Sequence, residues 1–167
     1  MGNKGGGKPS DTRAGKSRAW ELLGEETQYR ISWIVFDRDE VKNFDGIIRA
    51  AKKNDVGAGW SNPCFEIWMY AYFGEMPAIM DSVACCHRFD ERFEKVTGQK
   101  YSKNDKDIYR KLVQHGDEEK AILLAEKVYK RCVEDGKKKP SEMCPASMVQ
   151  RLVGEIQGKV GKYQKHL

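Results

Sequence analysis

The chain is short of the residues that usually announce a chemistry. Its 167 residues hold three histidines, and its five cysteines (Cys64, Cys85, Cys86, Cys132 and Cys144) include no CxxC pair. An odd count without a pairing pattern argues against a disulfide framework. It points to a reduced, cytoplasmic chain whose thiols are mostly structural. No apolar run approaches the roughly 20 residues that span a bilayer, so no membrane association is expected. The first residues are glycine- and lysine-rich with no apolar core, which excludes a secretory signal.

Charge is what the chain has in quantity. Asp, Glu, Lys and Arg make up 33% of it against 40% hydrophobic residues, and the net charge is +5. That mixture is ordinary for a soluble protein, and the length suits one domain with a real core. A basic excess is compatible with a nucleic-acid partner without requiring one. Met1–Thr12 has no periodicity and is read as a flexible terminus, residues 13–160 as the domain, and 161–167 as a basic tail. Gly2, Gly7 and Lys8 have the spacing of a phosphate-binding loop. Pro9 stands where the magnesium-binding hydroxyl belongs and no strand can precede it, so that reading is rejected.

The expected order begins with a helix over Ala14–Leu23 and a strand over Gln28–Phe36. Phe44, Ile47, Ile48 and Ala51 recur at helical spacing within Asn43–Asn54, and Asp55–Trp60 reads as a second strand. Strand, helix and strand suggest a parallel βαβ unit. Pro63 suits a first helical position with Asn62 as its cap. The following FEIWMYAYF (Phe65–Phe73) is apolar nearly all round, which predicts a helix buried on most sides. Further helices are expected over Pro77–Phe93, Asp107–His115, Asp117–Glu134 and Ala146–Val160. In the third of these Ala121, Leu124, Ala125, Val128 and Cys132 face inward and Gly136 stops the helix. In the last, Val149, Leu152, Val153, Ile156 and Val160 face inward.

The stretch Trp33–Glu40 (WIVFDRDE) is where chemistry is expected. Four apolar residues of a buried strand give way to Asp37 and Asp39, which share a face because strand side chains repeat every second residue. Two adjacent carboxylates at a strand end repel one another and are held by a cation or by a proton. Mg²⁺ or Mn²⁺, both oxygen-seeking, is the expected ion. The competing reading is a solvated strand end running into a turn. Arg38 and Glu40 fall on the opposite face, where a surface salt bridge is expected. Glu66 lies in the first turn of the apolar helix. It is either a third acidic group at the site or a carboxylate satisfied by the free amides of the helix start. Cys85, Cys86 and His87 are adjacent, but helix neighbours point about 100° apart, so core packing is preferred over zinc. His115 reads as a helix-end residue. Lys137–Lys139 and Lys159, Lys162 and Lys165 are basic surface suited to phosphate contacts or to simple solvation.

Val35–Glu40 (VFDRDE), Ser61–Trp68 (SNPCFEIW) and a C-terminal segment ending in RLV resemble the RloB-like family, which includes AbiLii-type phage-defence proteins. The resemblance runs from about Asn3 to Gln157. It implies an α/β fold, a partial Toprim-like parallel sheet wrapped by helices, with a helical C-terminal half. It also implies a metal-dependent nuclease or phosphoryl-transfer subunit that works beside an ATPase partner in abortive infection. Asp37 and Asp39 match the family's DxD pair, with Glu66 the candidate third catalytic carboxylate. Two departures stand out. The Toprim pattern carries a catalytic glutamate in a strand well before DxD, and the chain resembles a member lacking that strand. Family members also tend to carry an NPST-like motif where this chain has Cys144-Pro145-Ala146-Ser147. The first departure favours the alternative of a truncated, non-catalytic module that binds the ATPase partner or nucleic acid.

Overall fold

A computed structural model of the chain describes residues 32–39 and 41–158. The helix expected over Ala14–Leu23, the first part of the strand expected from Gln28, Glu40 and the lysines of the C-terminal tail lie outside the described residues. Strand β1 spans Trp33–Asp37, helix α1 Phe44–Lys53 and strand β2 Gly57–Asn62. The two strands run parallel, from Trp33 opposite Gly57 to Asp37 opposite Ser61. This is the expected βαβ unit. A Cβ on Gly57 would lie 2.3 Å from the Trp33 ring, so the indole occupies space that only glycine leaves free. β1 is half-buried rather than buried, with Val35 exposed, because in the described sheet it is flanked by β2 alone.

Helix α2 spans Glu66–Tyr72, and all seven of its residues are buried. It packs against α3 (Ser82–Thr97), α4 (Ile108–His115) and α5 (Glu118–Glu134). Phe89 and Phe93 of α3 are completely buried against it, with Tyr101 edge-on to Phe89 at 4.9 Å. A second apolar cluster joins β1, α1, β2 and α5 through Phe36, Phe44, Trp60 and Tyr129, whose rings meet edge to face at 5.3–6.4 Å. Helix α6 (Val149–Ile156) closes the fold over β2 and α5.

Four expectations need correction. Asn62 does not cap a helix: it is the last residue of β2 and pairs with Ala146, so its backbone is committed to the sheet. Pro63 follows it through a cis peptide bond, and α2 begins at Glu66. Helix α3 begins at Ser82 rather than Pro77, because the Asp81 side chain accepts from the Ala84 amide at 2.8 Å and makes the better start. Ala146–Ser147 is not helical. It forms a short third strand, β3, antiparallel to β2, so the sheet is mixed. The buried stripe of α6 is Val149, Gln150 and Gly154, whereas Ile156 is 76% exposed. The first residue of α6 lies against β2, with the Val149 Cα 3.7 Å from where a Cβ on Gly59 would sit.

Candidate functional site

β1 delivers both aspartates to the carboxyl end of the parallel pair. The ladder continues one step past the strand: the Arg38 amide donates to the Ser61 carbonyl at 2.9 Å and the Asp39 amide to the Pro63 carbonyl at 3.1 Å. Asp37 is half-buried and accepts from the Phe65 amide through Oδ2 at 3.3 Å. Asp39 is exposed and accepts the Ser82 hydroxyl through Oδ1 at 2.7 Å. Among the described residues, no donor reaches the other oxygen of either carboxylate. Burial, and then the neighbouring Asp39 and Glu66 carboxylates, push the Asp37 carboxyl above its ordinary value despite the Phe65 amide.

Arg38 points the other way, as the strand alternation requires. It donates to the Ser141 carbonyl, which also receives Asn62 Nδ2 at 3.4 Å. Ser141 belongs to a single 3-10 turn, Pro140–Glu142, and is itself pinned to α1: its amide and hydroxyl both donate to Asp45, at 2.9 and 2.6 Å. The turn thereby carries the preceding basic segment to the strand ends. Lys138 and Lys139 are exposed there, while Lys137 turns inward to the Cys132 thiol. A polar pocket of about 270 Å³ lies at the strand ends, lined by Arg38, Asp39, Asn62, Asp81 and Ser82 with Pro63 and Met80.

Glu66, whose charge acts on Asp37, is 3% exposed. Its Oε1 accepts the Tyr101 hydroxyl at 3.0 Å and faces the Lys103 ammonium at 3.5 Å. Burial is the largest single influence on this carboxyl and opposes its ionisation. Its own backbone amide, the Cys64 thiol, Lys103 and Tyr101 together outweigh it and hold the group below the usual carboxylate range. The helix-start reading of Glu66 therefore accounts for part of its environment. The residues from the 98–107 connection account for the rest, and nothing in that polar, aperiodic segment singles out Tyr101 or Lys103.

Cys85 is completely buried in the core, as expected, and His87 is exposed beside Glu91 at 3.7 Å. His115 ends α4, also as expected. Cys86 differs: its thiol faces Cys64 at 3.9 Å and, with Glu66, completes a compact three-residue group. Its pKa is pushed up to about 12, by burial first and then by Cys64 and Glu66. The pairing joins residues 22 positions apart, so adjacency in sequence concealed it. The Cys144–Ser147 turn keeps a polar role through its one hydroxyl, since Ser147 Oγ lies 3.3 Å from Ser61 Oγ and accepts from the Val149 amide at 3.1 Å.

A family model described as RloB-like protein matches residues 9–156. The chain belongs to the RloB-like family. The match includes both strands of the parallel pair, the aspartates of β1 and the whole of α2 in this RloB-like chain. No curated protein and no solved structure matches it. Among the described residues, no helix of this RloB-like protein is long and apolar enough to cross a membrane.

Proposed function

We propose that this RloB-like protein is a defence-associated, metal-dependent phosphoryl-transfer subunit, of nuclease type, that works with an ATPase partner. The observation that carries the reading is the pair Asp37 and Asp39 at the end of the parallel strands. Among the described residues, each is oriented by one donor and has a second oxygen without one, and Asp37 is disfavoured as a bare anion. That donor set fits Mg²⁺ or Mn²⁺, which take carboxylate oxygens and retain waters. When bound, such an ion supplies charge neutralisation for a phosphate and a more acidic water. The Phe65 amide and the Ser82 hydroxyl hold the two carboxylates in place. Lys138 and Lys139 offer positive charge to a nucleic-acid backbone, a contact that weakens steeply with salt.

The test is a thermal-shift titration beside a DNA-cleavage assay. Mg²⁺ or Mn²⁺ is expected to raise the unfolding midpoint with concentration, and Asp37→Asn or Asp39→Asn to abolish the rise. An equal rise in parent and variants overturns the metal assignment. Cleavage that is lost in Asp37→Ala supports the enzyme. A second reading, a non-catalytic module for the ATPase partner or nucleic acid, has its own observation: Glu66, the third carboxylate, is occupied by Tyr101 and Lys103 and not poised to take a proton from water. Aspartate-dependent metal binding without cleavage selects that reading.

A further inference from the structure

We propose that Cys64, Cys86 and Glu66 form a second metal site, for a thiophilic divalent cation of which Zn²⁺ is the leading case. It is separate from the strand-end aspartates and does not rest on their role. The two sulfurs and a Glu66 carboxylate oxygen lie within 4.8 Å of one another. The Sγ–Sγ distance is 3.9 Å. Two thiolates about 2.3 Å from a tetrahedral zinc are separated by about 3.8 Å, so the sulfurs stand nearly at ligand spacing. A disulfide would need them roughly 2 Å apart.

The donor set also selects the ion. Two sulfurs and one carboxylate oxygen suit zinc, whereas Mg²⁺ and Ca²⁺ take oxygen throughout. Three protein ligands leave one position for water. Three anionic ligands around a dication leave one net negative charge, and the Lys103 ammonium already faces Glu66 from the solvent side. The ligands come from the β2–α2 connection, the first turn of α2 and the second turn of α3. A bound ion would therefore tie the helix start beside Asp37 to the helix whose first residue, Ser82, holds Asp39.

Reduced, chelator-treated protein titrated with Zn²⁺ against a chromophoric competitor is expected to bind one equivalent. Co²⁺ in its place is expected to give the absorption of a tetrahedral ion with thiolate-to-metal charge transfer. Cys86→Ser, on a half-buried helix position, should weaken zinc by more than about tenfold, at least the loss that disturbing an outer-shell partner produces. Cys132→Ala, outside the cluster, should leave it unchanged. If Cys64→Ser does not fold, zinc protection of Cys64 and Cys86 from alkylation, mapped on the parent protein by peptide mass, decides the same question. Lack of stoichiometric binding, a cobalt spectrum without thiolate absorption, or unchanged affinity in Cys86→Ser overturns the proposal. So does a chain that binds no zinc but joins Cys64 to Cys86 when treated with peroxide, which would make the cluster a redox pair.

Discussion

Asp37 and Glu66 are near enough for the charge of Glu66 to bear on Asp37, yet their surroundings act in opposite directions. Asp37 ends a strand, receives one backbone amide, and is kept above its ordinary pKa by burial and by other carboxylates. Glu66 begins a helix that is buried on every side and is held below its ordinary value by donors from three parts of the chain. The deeper group is the more easily ionised. Depth alone therefore does not mark a reactive carboxylate; the number of donors aimed at it does. Glu66 is satisfied by the fold, whereas at Asp37 burial and the neighbouring carboxylates outweigh the Phe65 amide and the Lys103 charge, a balance that a cationic ligand would reverse.

The contrast can be broken from the helix side first. Trp68 is buried two residues after Glu66 and stacks edge-on against Tyr72 at 5.3 Å. Trp68→Ala should cost about 3–5 kcal/mol by denaturant unfolding. A loss below about 1 kcal/mol would mean that α2 is not the fixed frame the contrast requires. Gly116 tests the joint between α2 and α5 more gently. A Cβ there would lie 2.5 Å from the Tyr72 carbonyl oxygen and 2.8 Å from that of Leu112. Both are backbone atoms, so Gly116→Ala should cost about 1–3 kcal/mol through overpacking. An unchanged unfolding midpoint would show that the joint yields.

Glu66→Gln addresses the satisfied carboxylate itself. It keeps the shape, removes the attraction to Lys103, and should cost about 1–3 kcal/mol at pH 7. A lowered folded pKa gives stability that is full above the unfolded value of 4.5 and is lost as pH falls through the folded value. The variant should therefore show a flatter acid limb than the parent, measured as unfolding free energy against pH. A parallel limb would contradict the assignment. The smallest effect is expected at Asp37. Its raised pKa has the opposite sign: ionisation costs stability at neutral pH, and the cost is relieved as pH falls toward 3.8. Asp37→Asn should be neutral or stabilising within about 1 kcal/mol at pH 7 and should steepen the acid limb. A marked destabilisation at neutral pH would make Asp37 a structural residue like Glu66.

Local pattern predicted the parts of this fold that are built locally. The βαβ unit, α4 and α5 follow from runs of strand type, helical spacing and Gly136, whose φ of +79° ends α5 as a glycine should. The buried α2 was legible because its residues leave no polar side. Apart from the start of α3, which the nearby Asp81 cap sets, the mistakes arose where distant chain decides. Asn62 and Pro63 have the composition of a helix start, but the partner strand at Ala146–Ser147 claims Asn62 for the sheet. Ile156 fits an inward stripe, but Gln150 and Gly154 occupy the packed face of α6. The site divides the same way. Asp37 and Asp39 could be singled out from one octapeptide. Tyr101, Lys103, Ser82 and the Cys64–Cys86 pair could not, because each reaches its partner from at least 22 positions away.

The turn at Ser141 also sets an order of assembly. Its bonds to Asp45 and Arg38 link residues 96 and 103 apart, and Asn62 reaches Pro140 across 78. Closing loops of that length costs entropy before any contact offsets it, so distant pairings form late. The parallel pair of β1 and β2, separated by one short helix, is expected to form early, and the pocket wall that Ser141 supports to close last. Pulse-labelling hydrogen exchange during refolding should protect the β1–β2 amides before the Ser141 amide. Simultaneous protection would mean that the strand ends and the C-terminal half fold as one unit.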